Sequence, residues 1–176
     1  MNLAIVCAAG VAGLVALVFG VGTLLPAEWS IQRSTTIGAP ASVVYSQIAS
    51  FKNGWAHWNP WLEPSMTITY SGPEAGVGAT QSWTGGDTNG GRITITGADA
   101  TRGIDFSLDF GPFPIRGRIA VVEDANRTLV TWANTGTIVG LPVYRFMRFG
   151  LGRFVGVPMD RGLADLKNIA EAGGVR

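Results

Sequence analysis

Ile104-Asp105-Phe106-Ser107-Leu108-Asp109-Phe110 alternates apolar and polar side chains at every step. A period of two marks a strand with one buried and one wetted face, so Phe106 and Phe110 point inward while Asp105 and Asp109 meet water. The pattern recurs on both sides. Upstream, Met66, Ile68 and Tyr70 alternate with Thr67 and Thr69, residues 79–84 follow a glycine-bearing turn, and Ile93 and Ile95 continue the series. Residues 85–91, with Asp87, Asn89 and paired glycines, carry hairpin chemistry. Downstream, residues 115–122 and 128–135 are joined by the polar turn 123–127. Ile31, Arg33, Thr35 and Ile37 add a first strand ending at Gly38, which makes about seven strands.

Helical periods bracket this meander. Pro40 suits the start of a helix carrying Val43, Val44, Ile48 and Phe51 on its apolar side. Met159, Leu163, Leu166 and Ala170 recur at i, i+4, i+7 and i+11 and predict a closing helix. Between the last strand and that helix, Val143, Met147, Leu151 and Phe154 share one helical face and Arg145 and Arg148 the other. Gly150, Gly152 and Gly156 weaken this stretch, and a broken or kinked helix interrupted near Pro158 is expected. The class is α+β, with an antiparallel sheet and a long carboxy-terminal helix.

The amino-terminal end is different in kind. Every Lys, Arg, Asp and Glu lies beyond Ala27, and residues 3–25 are uncharged. As a helix this run reaches about 35 Å, against a bilayer hydrocarbon core of about 30 Å. Pro26 stops it, and Glu28 and Trp29 fall where an interfacial belt belongs. A retained single-pass membrane anchor over 1–27 is the reading, with the side occupied by the soluble part, 28–176, undetermined. A cleaved signal peptide is the competing one: Gly20 and Gly22 offer a small-x-small pair, but no Lys or Arg precedes the run and it continues past the cut. Ala4, Ala8, Ala12, Ala16 and Gly20 recur every four residues, a stripe that suits a membrane-helix partner or self-association; such registers also arise readily in a segment rich in Ala and Gly.

Composition narrows the function classes. Thirteen basic against twelve acidic residues give a formal net charge of +1, which removes a broad electrostatic case for nucleic acid. One Cys and one His exclude an intrachain disulfide framework and a Cys/His zinc site, so no metal and no cofactor is expected. Any histidine-based acid/base chemistry must use His57, which sits in an aromatic cluster with no orienting partner identifiable from sequence. Asp105 and Asp109 lie about 13 Å apart along one strand, too far for a paired-carboxylate site. Ser71 falls in a turn, Cys7 in the apolar run, and Gly76 and Gly78 follow no nucleotide-binding pattern, so a catalytic residue is unknown.

A family resemblance enters through particular stretches: Trp55-Ala56-His57-Trp58-Asn59-Pro60-Trp61, Tyr70-Ser71-Gly72-Pro73, Gly76-Val77-Gly78-Ala79, Trp83 with Gly85, and Gly162-Leu163-Ala164-Asp165-Leu166-Lys167. In this order, from about Leu24 to Glu171, they resemble the SRPBCC superfamily, specifically its START-like, polyketide cyclase/dehydrase-like branch, whose bacterial members often carry an amino-terminal membrane helix. The resemblance implies a helix-grip fold, a curved antiparallel sheet around the last helix, with an internal cavity for an apolar or amphipathic small molecule. Trp58, Trp61, Tyr70, Trp83, Phe106, Phe110 and Trp132 are the candidates to line it; plain core packing is the alternative reading of the same aromatics. Arg145, Arg148 and Arg153, interleaved with Phe146, Phe149 and Phe154, suit anionic lipid headgroups or simply a solvated face.

The reading that results is membrane-tethered binding of a hydrophobic small molecule, lipid or quinone-like. Two others stay open: a polyketide cyclase/dehydratase-like enzyme, and an accessory subunit of a membrane complex. The same fold hosts several functions, so the choice rests on the site.

Overall fold

The computed structural model describes residues 3–86, 90–111 and 113–173, with side chains for all of these except 3–6, 110 and 113. Phe110, Ala4 and the turn residues Asp87 and Asn89 therefore have side chains outside the described residues. Helix α1 (Leu3–Leu24) leads through Pro26 into β1 (Glu28–Ile37) and α2 (Ala41–Ile48). A 3-10 turn (Trp55–His57) precedes β2 (Thr67–Ser71), β3 (Thr80–Thr84), β4 (Gly91–Asp99), β5 (Gly103–Phe110), β6 (Phe113–Asp124) and β7 (Arg127–Thr137). The chain closes through a 3-10 helix (Pro142–Phe149), a π-helical turn (Gly152–Gly156) and α3 (Val157–Glu171).

All seven strands form one antiparallel sheet in the order β1-β7-β6-β5-β4-β3-β2. The first strand thus pairs with the last. After β1 the chain crosses to the opposite edge through α2 and the Trp-rich loop, then returns strand by strand. This crossover lays α2 and residues 55–61 over the concave face, and α3 packs beside them on β1 and α2. The result is the helix grip, with the apolar faces of α2 and α3 and one face of the sheet sharing a single core.

Alternation sets which side chains enter that core. In β7, Thr128, Val130, Trp132 and Asn134 are buried, whereas Leu129, Thr131, Ala133 and Thr135 are not. In β5, Ile104 and Phe106 are buried, and Asp105 on the other face pairs with Arg118 at 3.1 Å. Met159, Leu163, Leu166 and Ala170 of α3 are all buried, as their spacing predicts. The β6–β7 turn is a two-residue hairpin with positive φ at Ala125 (45°) and Asn126 (68°), the backbone shape that matches the twist of the flanking strands.

The helix ends are tied down by other elements. The α2 N-terminus has no side-chain cap of its own; the Glu123 carboxylate of β6 accepts the Ala41 N–H at 3.0 Å, placing negative charge at the positive end of the helix dipole. At the far end of α3, the Glu171 carboxylate accepts hydrogen bonds from Lys167 (2.5 Å) and the Gly38 N–H (2.7 Å), and Lys167 also donates to the Thr36 carbonyl. Lys167 first, then Gly38, holds the Glu171 carboxyl below its ordinary pKa.

The expected interruption is present: the 3-10 helix ends at Gly150, and a π-helical turn, Gly152–Gly156, runs directly into Val157 and Pro158, a widened turn next to a residue that has no N–H to donate. The basic face of this segment also has an unforeseen destination. Nη1 of Arg145 donates toward the carbonyls of Gly22 (3.4 Å), Thr23 (2.8 Å) and Leu25 (2.9 Å), and Arg148 reaches the Pro26 carbonyl at 3.5 Å. A guanidinium at the carboxy-terminal end of α1 satisfies carbonyls that have no partner within the helix and complements its dipole. Gly22 completes the joint: the Pro142 carbonyl lies 2.6 Å from where its β-carbon would be. Residues 7–24 of α1 form a helix long and apolar enough to cross a membrane. Ala8, Ala12, Ala16 and Gly20 are exposed on it.

Candidate ligand-binding site

The register of the sheet arranges the concave face in rows. One row runs Tyr70, Gln81, Ile93, Leu108, Ile115, Gly136 and Trp29 across all seven strands. The next contains Ile95, Phe106, Gly117, Asn134 and Ile31, and the one after it Ile104, Ile119, Trp132 and Arg33. The first row lies at the end of the sheet where β1 begins, four residues after α1.

Aromatic side chains fill the middle of this face. Trp55 is the hub, with ring centroids 5.2 Å from Phe51, 4.8 Å from Trp58, 5.3 Å from Phe106 and 5.9 Å from Trp132. Most of these contacts are edge-to-face, the geometry that ring quadrupoles favour. Trp55 and Trp58 donate their indole N–H groups to the Ile48 and Gln47 carbonyls at 2.7 and 3.1 Å, so the end of α2 sets both rings. Two glycines make room for the cluster. A β-carbon at Gly117 would overlap the Phe106 ring, and one at Gly162 of α3 would lie 2.9 Å from Pro60 and 3.2 Å from Trp132.

The seven aromatics expected to line a cavity fall into three groups. Trp58, Phe106 and Trp132 are in the packed cluster. Trp61, Tyr70 and Trp83 lie at its margins: Trp61 is 37% exposed and stands edge-on to Trp132 at 5.5 Å, while Tyr70 and Trp83 occupy the concave face of the far-edge strands. The Trp83 ring lies over Gly91, and burial pushes the Tyr70 phenol above its ordinary pKa. Phe110 shares their end of the sheet by register, and its side chain is outside the described residues. His57 is exposed, on the turn outside the cluster.

Polar groups in this apolar setting are the site's most distinctive chemistry. Among the described residues, Trp132 Nε1 (a donor) and Asn134 Oδ1 (an acceptor) are buried without a hydrogen-bond partner, two residues apart on the same face of β7. Gln81 Oε1 on the first row and Gln47 Oε1 on α2 are buried and unpartnered as well. Among the described residues, the Asn134 side chain makes a long contact from Nδ2 to the Met159 sulfur at 3.7 Å and no other hydrogen bond. Each such group costs about 1–3 kcal/mol while unpaired. Asn134 and Gln81 were not among the sequence candidates; the available signal was a polar residue at an inward position of an alternating strand. Two surface depressions, of about 540 and 740 Å³, lie elsewhere: one at the β1–β7–β6 end around Glu28, Arg116 and Thr137, the other between α2 and β6 around Tyr45 and Arg118. Neither is bordered by Trp132 or Asn134.

Residues 28–171 match the family described as polyketide cyclase/dehydrase and lipid transport. The chain belongs to this family. Comparison of the polyketide cyclase/dehydrase-like chain with curated proteins finds no match. Among solved structures it is similar to norcoclaurine synthase from Thalictrum flavum in complex with dopamine and hydroxybenzaldehyde (TM-score 0.64, 12% identity, covering 89% of this chain and 94% of that one). It is also similar to the Zhui aromatase/cyclase from Streptomyces sp. R1128 (TM-score 0.64, 18% identity, 84% and 99%). A protein of Nitrosospira multiformis aligns with TM-score 0.59 and 20% identity over 80% of this chain and 94% of its own. At these identities the likeness establishes the shared helix-grip fold.

Proposed function

We propose that this protein is a membrane-tethered binder of a hydrophobic small molecule, lipid or quinone-like, with residues 1–27 as the single-pass anchor and 28–176 as the binding domain. The guest lies on the concave face beside the aromatic cluster, against Trp58, Trp61, Tyr70, Trp83, Phe106, Phe110 and Trp132. The observation that carries this reading is the unpartnered pair Trp132 Nε1 and Asn134 Oδ1. A buried donor and acceptor two residues apart in a largely apolar interior suit a molecule that is mostly hydrocarbon with one polar function, a carbonyl or hydroxyl, which would satisfy both. Trp61 is the movable cover: it stands over Trp132 from an exposed loop, and its displacement opens the site without disturbing the Trp55 hub. The family description, which includes lipid transport, supports the ligand class.

The test is photo-crosslinking of the full chain in nanodiscs with two diazirine probes, a fatty acid and a prenyl-quinone analogue. Adducts on the peptides holding Trp61 and residues 132–134, competed by unlabelled ligand, are expected. Adducts confined to α1 with either probe would overturn the proposal.

A further inference from the structure

We propose that residues 142–157 form a foot that inserts into the bilayer surface and sets the mouth of the concave face down on the membrane. This rests on the membrane tether proposed above. The segment carries Tyr144, Met147, Phe149, Phe154 and Val157 as exposed side chains, and the two phenylalanines are each 73% exposed. Such a concentration of large apolar groups on one segment exceeds the scattered exposure usual for a water-facing surface.

Its position identifies what covers it. The 3-10 helix packs on the carboxy-terminal turn of α1, where Gly22 meets Pro142 and Arg145 gathers three carbonyls. The foot is therefore fixed at the level where an apolar spanning helix leaves the hydrocarbon. A segment with aromatic side chains and an exposed arginine, here Arg153, is suited to the headgroup boundary, with rings below and guanidinium at the phosphates. Arg145 and Arg148 act within the protein instead, locking the angle between foot and anchor. The same geometry orients the site. The row from Tyr70 to Trp29, with Ile68, Trp83 and Gly91 one step beyond it on the far-edge strands, lies toward the end of the concave face where β1 leaves α1, so a molecule passing between bilayer and grip crosses this end of the face first.

The test uses the full chain with Cys7→Ser, bearing a single nitrobenzoxadiazole-labelled cysteine at position 149 or 154, reconstituted in phosphatidylcholine vesicles with spin-labelled lipids. Controls are labelled at position 14 in α1 and position 77 on an exposed loop. Loss of emission at 149 and 154 comparable to that at 14, with none at 77, is the expected result. Quenching at 14 alone overturns the foot while leaving the anchor in place. Absence of quenching at 14 overturns the anchor, and the foot with it. A blue-shifted but unquenched probe at 149 or 154 assigns the patch to a protein partner and also overturns the proposal. Because both side chains project from the core, the cysteine substitutions leave its packing intact, and far-UV circular dichroism of each labelled protein verifies this.

Discussion

Replacing Asn134 by Leu should make the empty protein more stable and a poorer binder. Leu has the same number and branching of side-chain heavy atoms, so the buried position on β7 is kept filled. In the wild type, Oδ1 has no partner and Nδ2 has only the Met159 sulfur at 3.7 Å. Removing an unpartnered buried acceptor recovers about 1–3 kcal/mol. The weak N–H to sulfur contact and some crowding by the bulkier methyls offset part of this, leaving a net gain of about 1 kcal/mol. For a domain of this size that corresponds to a rise in Tm of roughly 2–6 °C. Urea unfolding of delipidated full-length chain in detergent should show a higher midpoint at unchanged slope, and retention of apolar ligand should fall. A loss of stability of about 1 kcal/mol or more would mean that Asn134 is satisfied in the native state and has a structural role instead of a ligand-binding one.

Other expectations follow from single contacts. Gly117→Ala pushes a methyl into the Phe106 ring and should destabilise by about 1–3 kcal/mol, read by chemical denaturation; wild-type stability would contradict the packing. Trp61→Ala should cost clearly less stability than Trp55→Ala, about 1 against 3–5 kcal/mol, while accelerating ligand release in stopped-flow experiments; equal stability losses would show that Trp61 belongs to the core rather than covering it. Glu171 titrates below its unfolded pKa, so the stability it contributes is complete at neutral pH, still present just above the unfolded value, and lost as pH falls through the lowered native one. Glu171→Gln should flatten that acid limb in a plot of Tm against pH; parallel curves for the two proteins would remove Glu171 from the acid response.

The sheet was legible because a period of two survives along most strands. Residues 104–110 alone separate Phe106 from Asp105, and the structure buries the first and pairs the second with Arg118. Met159, Leu163, Leu166 and Ala170 gave α3 by the same logic. The site was less legible because burial by period cannot tell a pocket wall from a packed core. Phe106 faces inward as its alternation predicts, and Trp58 and Trp132 are buried beside it, yet all three pack around Trp55, whose role depends on where a crossover loop lands rather than on any local spacing. Asn134 follows the same alternation as Trp132, but its lack of partners emerges only once α3 covers it. Arg145 illustrates the limit most sharply: its partners lie at positions 22–25, so nothing near it in sequence indicates that it binds the end of α1.

Native mass spectrometry of the gently extracted full chain shows whether the grip holds a guest. The wild type should fly as a one-to-one complex with an apolar molecule, released at lower collision energy in Trp61→Ala and much reduced in Asn134→Leu. A wild-type chain that flies bare, even after incubation with excess lipid and quinone, would contradict a binding role.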